Sequence, residues 1–541
     1  MKKLFIFMFI IALLGVNSGS AIDSPLETLS RIFPSDAVVF VATPSLKNLI
    51  PTIQEHPLLK KFQSSSESLQ EEEDDVNYEG EVSSIATAFE QSRLYLKLEN
   101  KFKEASKIFG FDISLQIISE VAGEESALAI YDIGELRMVF ICKVSRFQMM
   151  KSKFAVPGEK FEERRSGNLI YYVASDGTGA LVAFAITDNW FLFSNDLSLM
   201  ERTIDLMEGK GKENLAESWF KGILEPSILS ADLVIALNQS TLNDDLYFRT
   251  YWIHRNAKQL KWIERTALAV KFERDIVRET RIFTIRDGAE HPFAGEVSRG
   301  VARIPADAMW LDVRANRKPD DLAECLVKWI MGYNQSDNQV FVEDIANLFK
   351  NAHPMAMARV SAPYIEKNLF YKDQRKLLAV QLGNANAFDK NLLLNKISSR
   401  YNQTVGVAGL VSATIVNKGG IEVISLPLLE RHCSAFFVKD ATFIASNDYS
   451  FLKEYLSASP VRDMAENDVL YSRLNAAIIL THLSDIYKRL GEYPDWTSYD
   501  SQPFFHGVVP SLFDIMRVVK SAVLHGYVKD RTFVEEVIYS F

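Results

Sequence analysis

The sequence is poor in cysteine. Only three of its 541 residues are cysteines, and no two of them form a Cys-x-x-Cys pair. Isolated cysteines in an odd number exclude the disulfide framework that holds small secreted domains together. Cys142 lies in the apolar run 138–142, so we expect a small buried side chain there and not a reactive thiol. We give Cys325 and Cys433 the same interpretation.

Clustered positive charge is also absent from the sequence. The chain has 60 Lys and Arg against 70 Asp and Glu, a formal charge of −10. Because binding to a phosphate backbone requires clustered Lys and Arg, we expect no nucleic acid among the partners. Residues 63-84 instead contain eight acidic residues and no basic one. Such carboxylates repel one another and are costly to bury, so we predict that 63-84 is an exposed inserted loop.

Long apolar runs are missing beyond the N-terminus. Two lysines precede the apolar run Leu4 to Leu14, and the small residues Gly19 and Ala21 follow it. This run is shorter than the ~20 residues that a helix needs to cross a bilayer, and its flanks are typical of a secretory signal peptide. We therefore predict a signal peptide over 1-21, cleaved before Ile22. The expected product is an exported protein, periplasmic or extracellular, that is soluble and has no transmembrane helix in its mature chain.

Motifs of the common enzyme classes are absent as well. The sequence has no His-Glu-x-x-His, no Gly-x-Ser-x-Gly and no phosphate-binding Gly-x-x-x-x-Gly-Lys loop, and its eight histidines form no close pair of metal ligands. The stretch Asp176 to Gly179 lacks the third glycine of a dinucleotide fingerprint and is more typical of a hairpin turn. We assign no catalytic, cofactor-binding or metal-ligating residue and expect no cofactor. The binding residues remain unknown at this point.

An internal repeat is the most informative feature that the sequence does contain. Residues 183–200 align without a gap on residues 435–452, with eight of the eighteen positions identical, and residues 33–40 resemble residues 304–311. Repeats of this kind point to a duplicated structural unit. We predict two modules, 22-290 and 291-541, with the acidic loop as an insertion in the first.

The repeated Ser-Asn-Asp tripeptide permits two interpretations. Ser194, Asn195 and Asp196 follow the apolar run 190–193 and precede a helical pattern over 197–207. Ser, Asn and Asp are the residue types that cap helix N-termini, whereas a catalytic role would require a histidine partner. We favour a strand end followed by a helix cap.

The local patterns predict an α+β fold. Strand-like runs occur at 128–131, 137–144, 169–173, 180–187 and 190–193, and helical patterns at 85–109, 197–207, 322–331 and 340–350. Strands joined by short turns, with helices between the groups, favour antiparallel pairing. We predict two tandem duplicated modules, each a mainly antiparallel sheet covered by helices on one face.

Aromatic residues cluster between positions 247 and 264. The group consists of Tyr247, Phe248, Tyr251, Trp252, His254 and Trp262, with Glu264 close behind. Aromatic side chains form platforms for sugars or lipids, but at helical spacings they more often belong to a core. We favour the core and keep the binding platform as an alternative.

Three short segments carry a resemblance to a known family. Residues Pro34 to Ala37, then Phe109 to Asp112, then Gly123 to Asp132 resemble an exported bacterial domain-of-unknown-function family with a Pro-x-Asp-Ala strand entry after the signal peptide. The resemblance covers roughly residues 30–208, and the second half of the chain lacks a clear Phe-Gly-x-Asp segment. The resemblance implies no activity.

Three hypotheses about function follow. The first is a non-enzymatic exported protein that serves as a binding or interaction module for an envelope protein. The second is a carrier of a hydrophobic ligand such as a lipid, held in a groove between sheet and helices. The third is a hydrolase with a dispersed site, which a serine or carboxylate within hydrogen-bond reach of a histidine would favour.

Overall fold

The computed structural model describes a large part of the chain. The described residues are 25–57, 93–113, 115–177, 179–223, 225–252, 260–289, 295, 297, 299–315, 318–332, 339–364, 374–405, 413–425, 434–491, 513 and 516–541. The predicted signal peptide 1-21, the acidic loop 63-84 and Cys433 lie outside them. The described residues form two compact units, the first within Met1–Glu290, Thr497–Val518 and Lys529–Phe541 and the second within His291–Trp496 and Val519–Val528.

The strands are numbered along the chain. They are β1 (Val39–Thr43), β2 (Ser126–Asp132), β3 (Arg137–Lys143), β4 (Glu162–Ser166), β5 (Leu169–Ser175), β6 (Leu181–Ile186), β7 (Trp190–Ser194), β8 (Leu233–Leu237), β9 (Ile263–Glu273), β10 (Ile276–Ile285), β11 (Trp310–Ala315), β12 (Pro354–Pro363), β13 (Gln374–Leu382), β14 (Thr414–Lys418), β15 (Ile421–Ser425), β16 (Ser434–Lys439), β17 (Thr442–Ser446), β18 (Asp468–Asn475), β19 (Ser521–Lys529) and β20 (Thr532–Ser540).

The helices are numbered in the same way. They are α1 (Pro25–Ser30), α2 (Leu46–Glu55), α3 (Arg93–Phe109), α4 (Leu115–Val121), α5 (Arg146–Met149), α6 (Leu197–Met207), α7 (Pro226–Leu229), α8 (Gln239–Asp244), α9 (Pro319–Glu324), α10 (Gln339–Ala352), α11 (Lys390–Val405), α12 (Tyr449–Ser457) and α13 (Ala476–Gly491). A π-helical segment, Cys325–Ile330, continues α9. Mixed helix and strand content with antiparallel pairing confirms the α+β class.

Antiparallel pairing organises the first unit. Its strand order is β4-β5-β6-β7-β3-β2-β1-β8-β9-β10-β20. The last strand of the chain therefore pairs with β10 and belongs to this unit. The strands β5, β6 and β7 pair in chain order, and the turn at Asp188 and Asn189 is the hairpin that the sequence predicted.

The second unit has its own antiparallel order. Its strand order across the sheet is β14-β15-β16-β17-β13-β12-β11-β18-β19. The central strand β11 pairs with β12 on one side and β18 on the other. In the first unit, β1 lies in the corresponding position between β2 and β8.

Helices pack on both faces of the first unit's sheet. Phe40 and Ala42 of β1 belong to a core cluster that contains residues of α1 and α6. Val39, which points to the opposite face, packs in a cluster with Leu98 of α3 and Leu242 of α8. In the second unit, alternate residues of β13 likewise pack in two different clusters, one containing α12 and the other α10 and α11.

The prediction of helices on one face is therefore wrong. A sheet with one solvated face requires strands that alternate apolar and polar residues. Strand β8, with the sequence Leu-Val-Ile-Ala-Leu, is apolar throughout, which is typical of a strand buried on both faces. The continuous apolar character of such strands was the signal for a second helical layer.

The Ser-Asn-Asp tripeptide of the first unit ends β7 and caps α6. Asp196 is the N-cap residue, and its Oδ1 accepts a hydrogen bond from the amide of Leu199 at 3.0 Å. The Asn195 Oδ1 accepts the amide of Met138 at 2.8 Å, and its Nδ2 donates to the carbonyl of Leu136 at 2.8 Å. The side chain thus ties the end of β7 to the start of β3.

The second tripeptide has the same contacts. Asp448 caps α12, where its Oδ1 accepts the amide of Phe451 at 2.8 Å. Asn447 accepts the amide of Lys376 at 2.7 Å and donates to the carbonyl of Gln374 at 3.0 Å. The interpretation of both tripeptides as strand end and helix cap is confirmed.

Candidate ligand-binding site

A cavity of about 290 Å³ lies between the sheet and the helices of the first unit. Its walls come from β1, β2, β3, β6 and β7 on the sheet side and from α2, α3 and α4 on the helix side. The space lies on the sheet face opposite to the cluster that contains α1 and α6. Its lining residues all belong to the first unit.

The sheet side of the cavity is apolar because alternate strand residues point into it. Val41 of β1 and Leu128 of β2 are direct cross-strand partners, and both line the cavity. Phe140 of β3 extends this surface, and Phe191 and Phe193 of β7 complete it. Successive residues of a strand point to opposite faces, so the residues between these pack into the other core.

The helical wall has the same apolar character. Leu98, Ala105 and Ile108 of α3 line the cavity, and their spacing places them on one face of that helix. Leu49 and Ile53 of α2, four residues apart, close another side. Because the side chain of Ala105 is small, it leaves open a part of the cavity that a larger side chain at this position would fill.

The polar side chains on the wall already have partners within the protein. The Ser126 hydroxyl donates to the carbonyl of Glu124 at 3.0 Å and lies 3.0 Å from the thiol of Cys142. The Asn195 amide makes the backbone bonds described above, and Thr43 Oγ1 accepts the amide of Ser45 at 3.2 Å. A ligand in this cavity therefore needs no polar group to satisfy these side chains, which favours hydrocarbon.

Among the described lining residues, charged side chains are found on α3 alone. Lys101 Nζ lies 3.1 Å from the Glu104 carboxylate, and the side chains are 28% and 38% exposed. Both residues belong to the cavity lining. Because both side chains of this ion pair are partly exposed, the charged part of the lining retains contact with water.

The described residues of the predicted aromatic cluster, Tyr247, Phe248 and Trp262, do not contribute to this lining. Phe248 is buried in a core cluster, and Lys97 Nζ lies 4.2 Å above the ring of Tyr247. Trp262 packs against Phe283 and Phe533, with ring centroids 5.9 and 6.3 Å apart. These contacts support the core interpretation; His254 and the side chains of residues 251 and 252 lie outside the described part of the chain.

The two described cysteines are not activated thiols. Cys142 is fully buried, and its burial raises the pKa of the thiol, although the Ser126 hydroxyl and the Gly123 amide act in the opposite direction. Burial likewise raises the pKa of Cys325 to about 12, against the influence of Arg359 and Arg314. Nucleophilic chemistry requires the thiolate, so both side chains are packing residues at neutral pH.

One histidine does meet a carboxylate in the second unit. His525 Nδ1 lies 2.9 Å from Oδ2 of Asp468, a side chain that is almost fully buried. The same Oδ2 accepts the amide of Ala465 at 2.8 Å, and the ring of Tyr471 packs against the imidazole at 5.3 Å. Because this oxygen holds the turn before β18 and the pair lies on neighbouring strands β18 and β19, we interpret it as structural.

The carboxylates of a cluster on β10 and β20 likewise have their hydrogen-bond partners within the protein. Arg281 bonds to Glu279 at 2.9 and 3.0 Å and to Glu535 at 3.4 Å, and the Tyr539 hydroxyl donates to Glu279 at 2.9 Å. Burial raises the pKa of Glu535, and the nearby Arg281 charge opposes this shift. Arg281 is hydrogen-bonded to both carboxylates, and partners of this kind are usual where carboxylates are buried within a sheet.

Within the described ranges, no group of three or more His, Cys, Asp or Glu side chains is placed to hold a metal ion. None of the helices in the described part of the chain is both long and apolar enough to span a bilayer.

No family model matches the sequence, and no curated protein matches it. Among solved structures, crystal form III of TP0453 matches at 9% identity and crystal form I at 8% identity. Each match covers 50% of this chain, and 84% and 82% of the respective TP0453 chains, with a TM-score of 0.25 in both cases. At that TM-score the likeness carries no argument about fold or function.

Proposed function

We propose that this protein is a carrier that holds the hydrocarbon chain of a lipid-like ligand in its first unit. The observation that carries the proposal is the cavity between sheet and helices, whose wall is apolar and whose Ser126, Asn195 and Thr43 side chains are already hydrogen-bonded. This apolar surface lines a concave space between sheet and helices, whereas a docking module for an envelope protein would offer its apolar surface outwards.

The volume of the cavity sets the size of the ligand. At ~30 Å³ for each water-sized group, 290 Å³ accommodates about ten methylene-sized groups. That is one hydrocarbon chain, not two. Burial of about ten methylenes at ~0.8 kcal/mol each gives ~8 kcal/mol before the cost of association, so the chain alone supports micromolar binding at best.

Export and duplication belong to the same proposal. The signal peptide 1-21, the exported location and the exported bacterial family rest on the sequence patterns alone. Descent of modules 22-290 and 291-541 from one ancestral unit is supported by the matching strand orders, with β1 and β11 in the corresponding places. The shared contacts of Asn195 and Asn447 support it further.

Titration calorimetry with saturated fatty acids of increasing chain length tests the carrier function. The affinity should rise with each added methylene and level off at about ten carbons, when the cavity is full. Ala105→Trp places an indole in the cavity and should weaken binding at least about tenfold, or ~1.4 kcal/mol. Leu96→Trp, which adds the same side chain at an exposed position of the same helix, is the matched control.

Two results would contradict the carrier proposal. The first is an affinity that does not depend on chain length, since cavity filling requires such dependence. The second is equal binding by the wild type and Ala105→Trp while the Leu96→Trp control behaves normally. Either result would favour the hypothesis that the protein is an interaction module for an envelope protein.

A further inference from the structure

The middle of the central strand differs in character between the two units. In the first unit, Val41 of β1 pairs with Leu128 of β2, and both line the apolar cavity. In the second unit, the third residue of the central strand is Asp312 of β11, which pairs with Arg359 of β12. Arg314, two residues further along β11, points to the same face as Asp312. Asp312 and Arg359 thus occupy strand positions that are apolar in the first unit, and Arg314 stands at the place of the polar residue Thr43.

These three side chains form a compact ion cluster. The Asp312 carboxylate is 11% exposed, and its Oδ2 accepts hydrogen bonds from Nε and Nη2 of Arg314 at 3.1 and 2.7 Å. The same Oδ2 accepts Nε and Nη2 of Arg359 at 3.0 and 2.7 Å. One carboxylate oxygen therefore orients two guanidinium groups.

The cluster has an excess of positive charge and unused donors. Two guanidinium groups face one carboxylate, and within the described residues neither Nη1 group donates a hydrogen bond. The arginine side chains are 30% and 31% exposed, so solvent and small solutes reach them. Partly buried cations with free N–H groups attract an oxyanion more strongly than fully hydrated cations do.

Two tryptophans support the arrangement. The guanidinium of Arg359 lies 5.5 Å from the ring centroid of Trp310, and Trp310 packs against Trp329 at 5.6 Å with an interplanar angle of 35°. The cation–π contact and the Asp312 carboxylate hold Arg359 from two directions. A guanidinium that is held in place before binding loses less entropy when it engages a ligand.

We propose that Arg314 and Arg359 form a binding site for a phosphate group, free or as the monoester of a small molecule. A phosphate offers several oxygens in different directions, so it can accept from both guanidinium groups while Asp312 retains its own bonds. The proposal does not rest on the carrier function of the first unit. A negative result for the carrier function does not contradict the phosphate site, and the reverse also holds, because the cavity residues and the arginines belong to different units.

Titration calorimetry of the full chain with inorganic phosphate at constant ionic strength tests the site. We expect saturable binding at one site, weakened at least about tenfold by Arg314→Gln or Arg359→Gln. Arg359→Lys keeps the charge but loses the planar fork and should weaken binding several-fold. Arg146→Gln removes a charge from an exposed ion pair of the first unit and should change nothing.

A substitution of the carboxylate separates a binding site from a purely structural ion cluster. Asp312→Asn removes the competing negative charge but keeps an amide oxygen that can accept from both guanidinium groups, so a phosphate site should bind at least about threefold more tightly. A structural cluster would show no gain in phosphate affinity. This variant also covers the case in which an arginine variant fails to fold.

The source of the phosphate group is distinguished by comparing inorganic phosphate with glycerol 3-phosphate. Tighter binding of the monoester identifies an organic phosphate, such as a headgroup, as the ligand, whereas equal binding identifies the free ion, and both results support the site. The proposal is overturned by non-saturating binding, by an effect that chloride reproduces, or by the same affinity in wild type, Arg359→Gln and Asp312→Asn.

Discussion

Replacing Arg375 with methionine tests the ion network of the second unit. The Arg375 side chain is only 2% exposed, and its Nε donates to the carbonyl of Pro363 at 2.9 Å. Its two Nη groups bond to Glu454, at 3.2 Å, and to Asp307. Methionine keeps the unbranched shape of the side chain but removes all of these donors.

The cost of this substitution follows from the burial of the partners. Removing one partner of a fully buried ion pair costs about 3–5 kcal/mol, because the other charge stays buried without compensation. The carboxylates of Asp307 and Glu454 are 42% and 45% exposed, so water replaces part of what they lose. We therefore expect Arg375→Met to lower the free energy of unfolding by about 2–4 kcal/mol.

An exposed pair in the first unit provides the matched control. Arg202 lies 2.6 Å from Asp36, with side chains that are 41% and 57% exposed. Exposed ion pairs contribute little, so Arg202→Met should cost less than about 1 kcal/mol. Urea denaturation followed by tryptophan fluorescence gives the overall change, and hydrogen exchange across β13 and α12 locates it. A loss for Arg375→Met no larger than that for Arg202→Met would refute the reasoning.

Three further substitutions have defined outcomes. Ala105→Leu projects into the cavity and should change the free energy of unfolding by less than about 1 kcal/mol. Ala346→Leu, on α10 and in the filled core of the second unit, should cost about 1–3 kcal/mol by overpacking. Equal losses of the two variants in urea denaturation would contradict an open cavity. Burial lowers the pKa of His56 from 6.5 to about 4, so the folded state resists protonation and stability should fall as the pH drops from about 6.5 to 4. Because His56 is partly exposed, this loss of stability should be about 1–2 kcal/mol in melting experiments. The loss should be absent in His56→Phe. Identical pH profiles of the wild type and His56→Phe would show that His56 is not the group responsible. Asp196→Ala removes the cap of α6 and should cost about 1 kcal/mol in denaturant, with Asp196→Asn close to wild type; no loss in the alanine variant would contradict the capping role.

Local features of the fold were accessible from the sequence. The hairpin at Asp188 and Asn189, the caps at Asp196 and Asp448, and a helix near 340–350 depend on residues that are close in the chain. Turn and cap chemistry is set by the backbone geometry of a few residues, so short patterns predict it well.

The sites themselves depend on contacts between distant segments. Leu49, Leu98 and Phe191 line one cavity although they are far apart in the chain. No local pattern reports that helices leave space above a sheet, because the space depends on how side chains from several elements fill it. Apolar strands, such as β8, gave a usable signal for burial on two faces, which the one-face prediction overlooked.

The arginine site had a signal in the sequence that was not used. Asp312 and Arg314 interrupt the otherwise apolar strand Trp310–Ala315. A charged residue in a buried strand needs a partner, so this pattern indicates an ion cluster. The identity of the second arginine, Arg359, required the register of β11 against β12.

Native mass spectrometry of the full chain tests the carrier function most directly. After incubation with a long-chain fatty acid, the wild type and Leu96→Trp should each retain one ligand molecule, and Ala105→Trp should retain none, because its indole fills the cavity between α3 and the sheet. A wild-type protein that carries no ligand, or an Ala105→Trp protein that carries the same ligand as the wild type, would contradict the account.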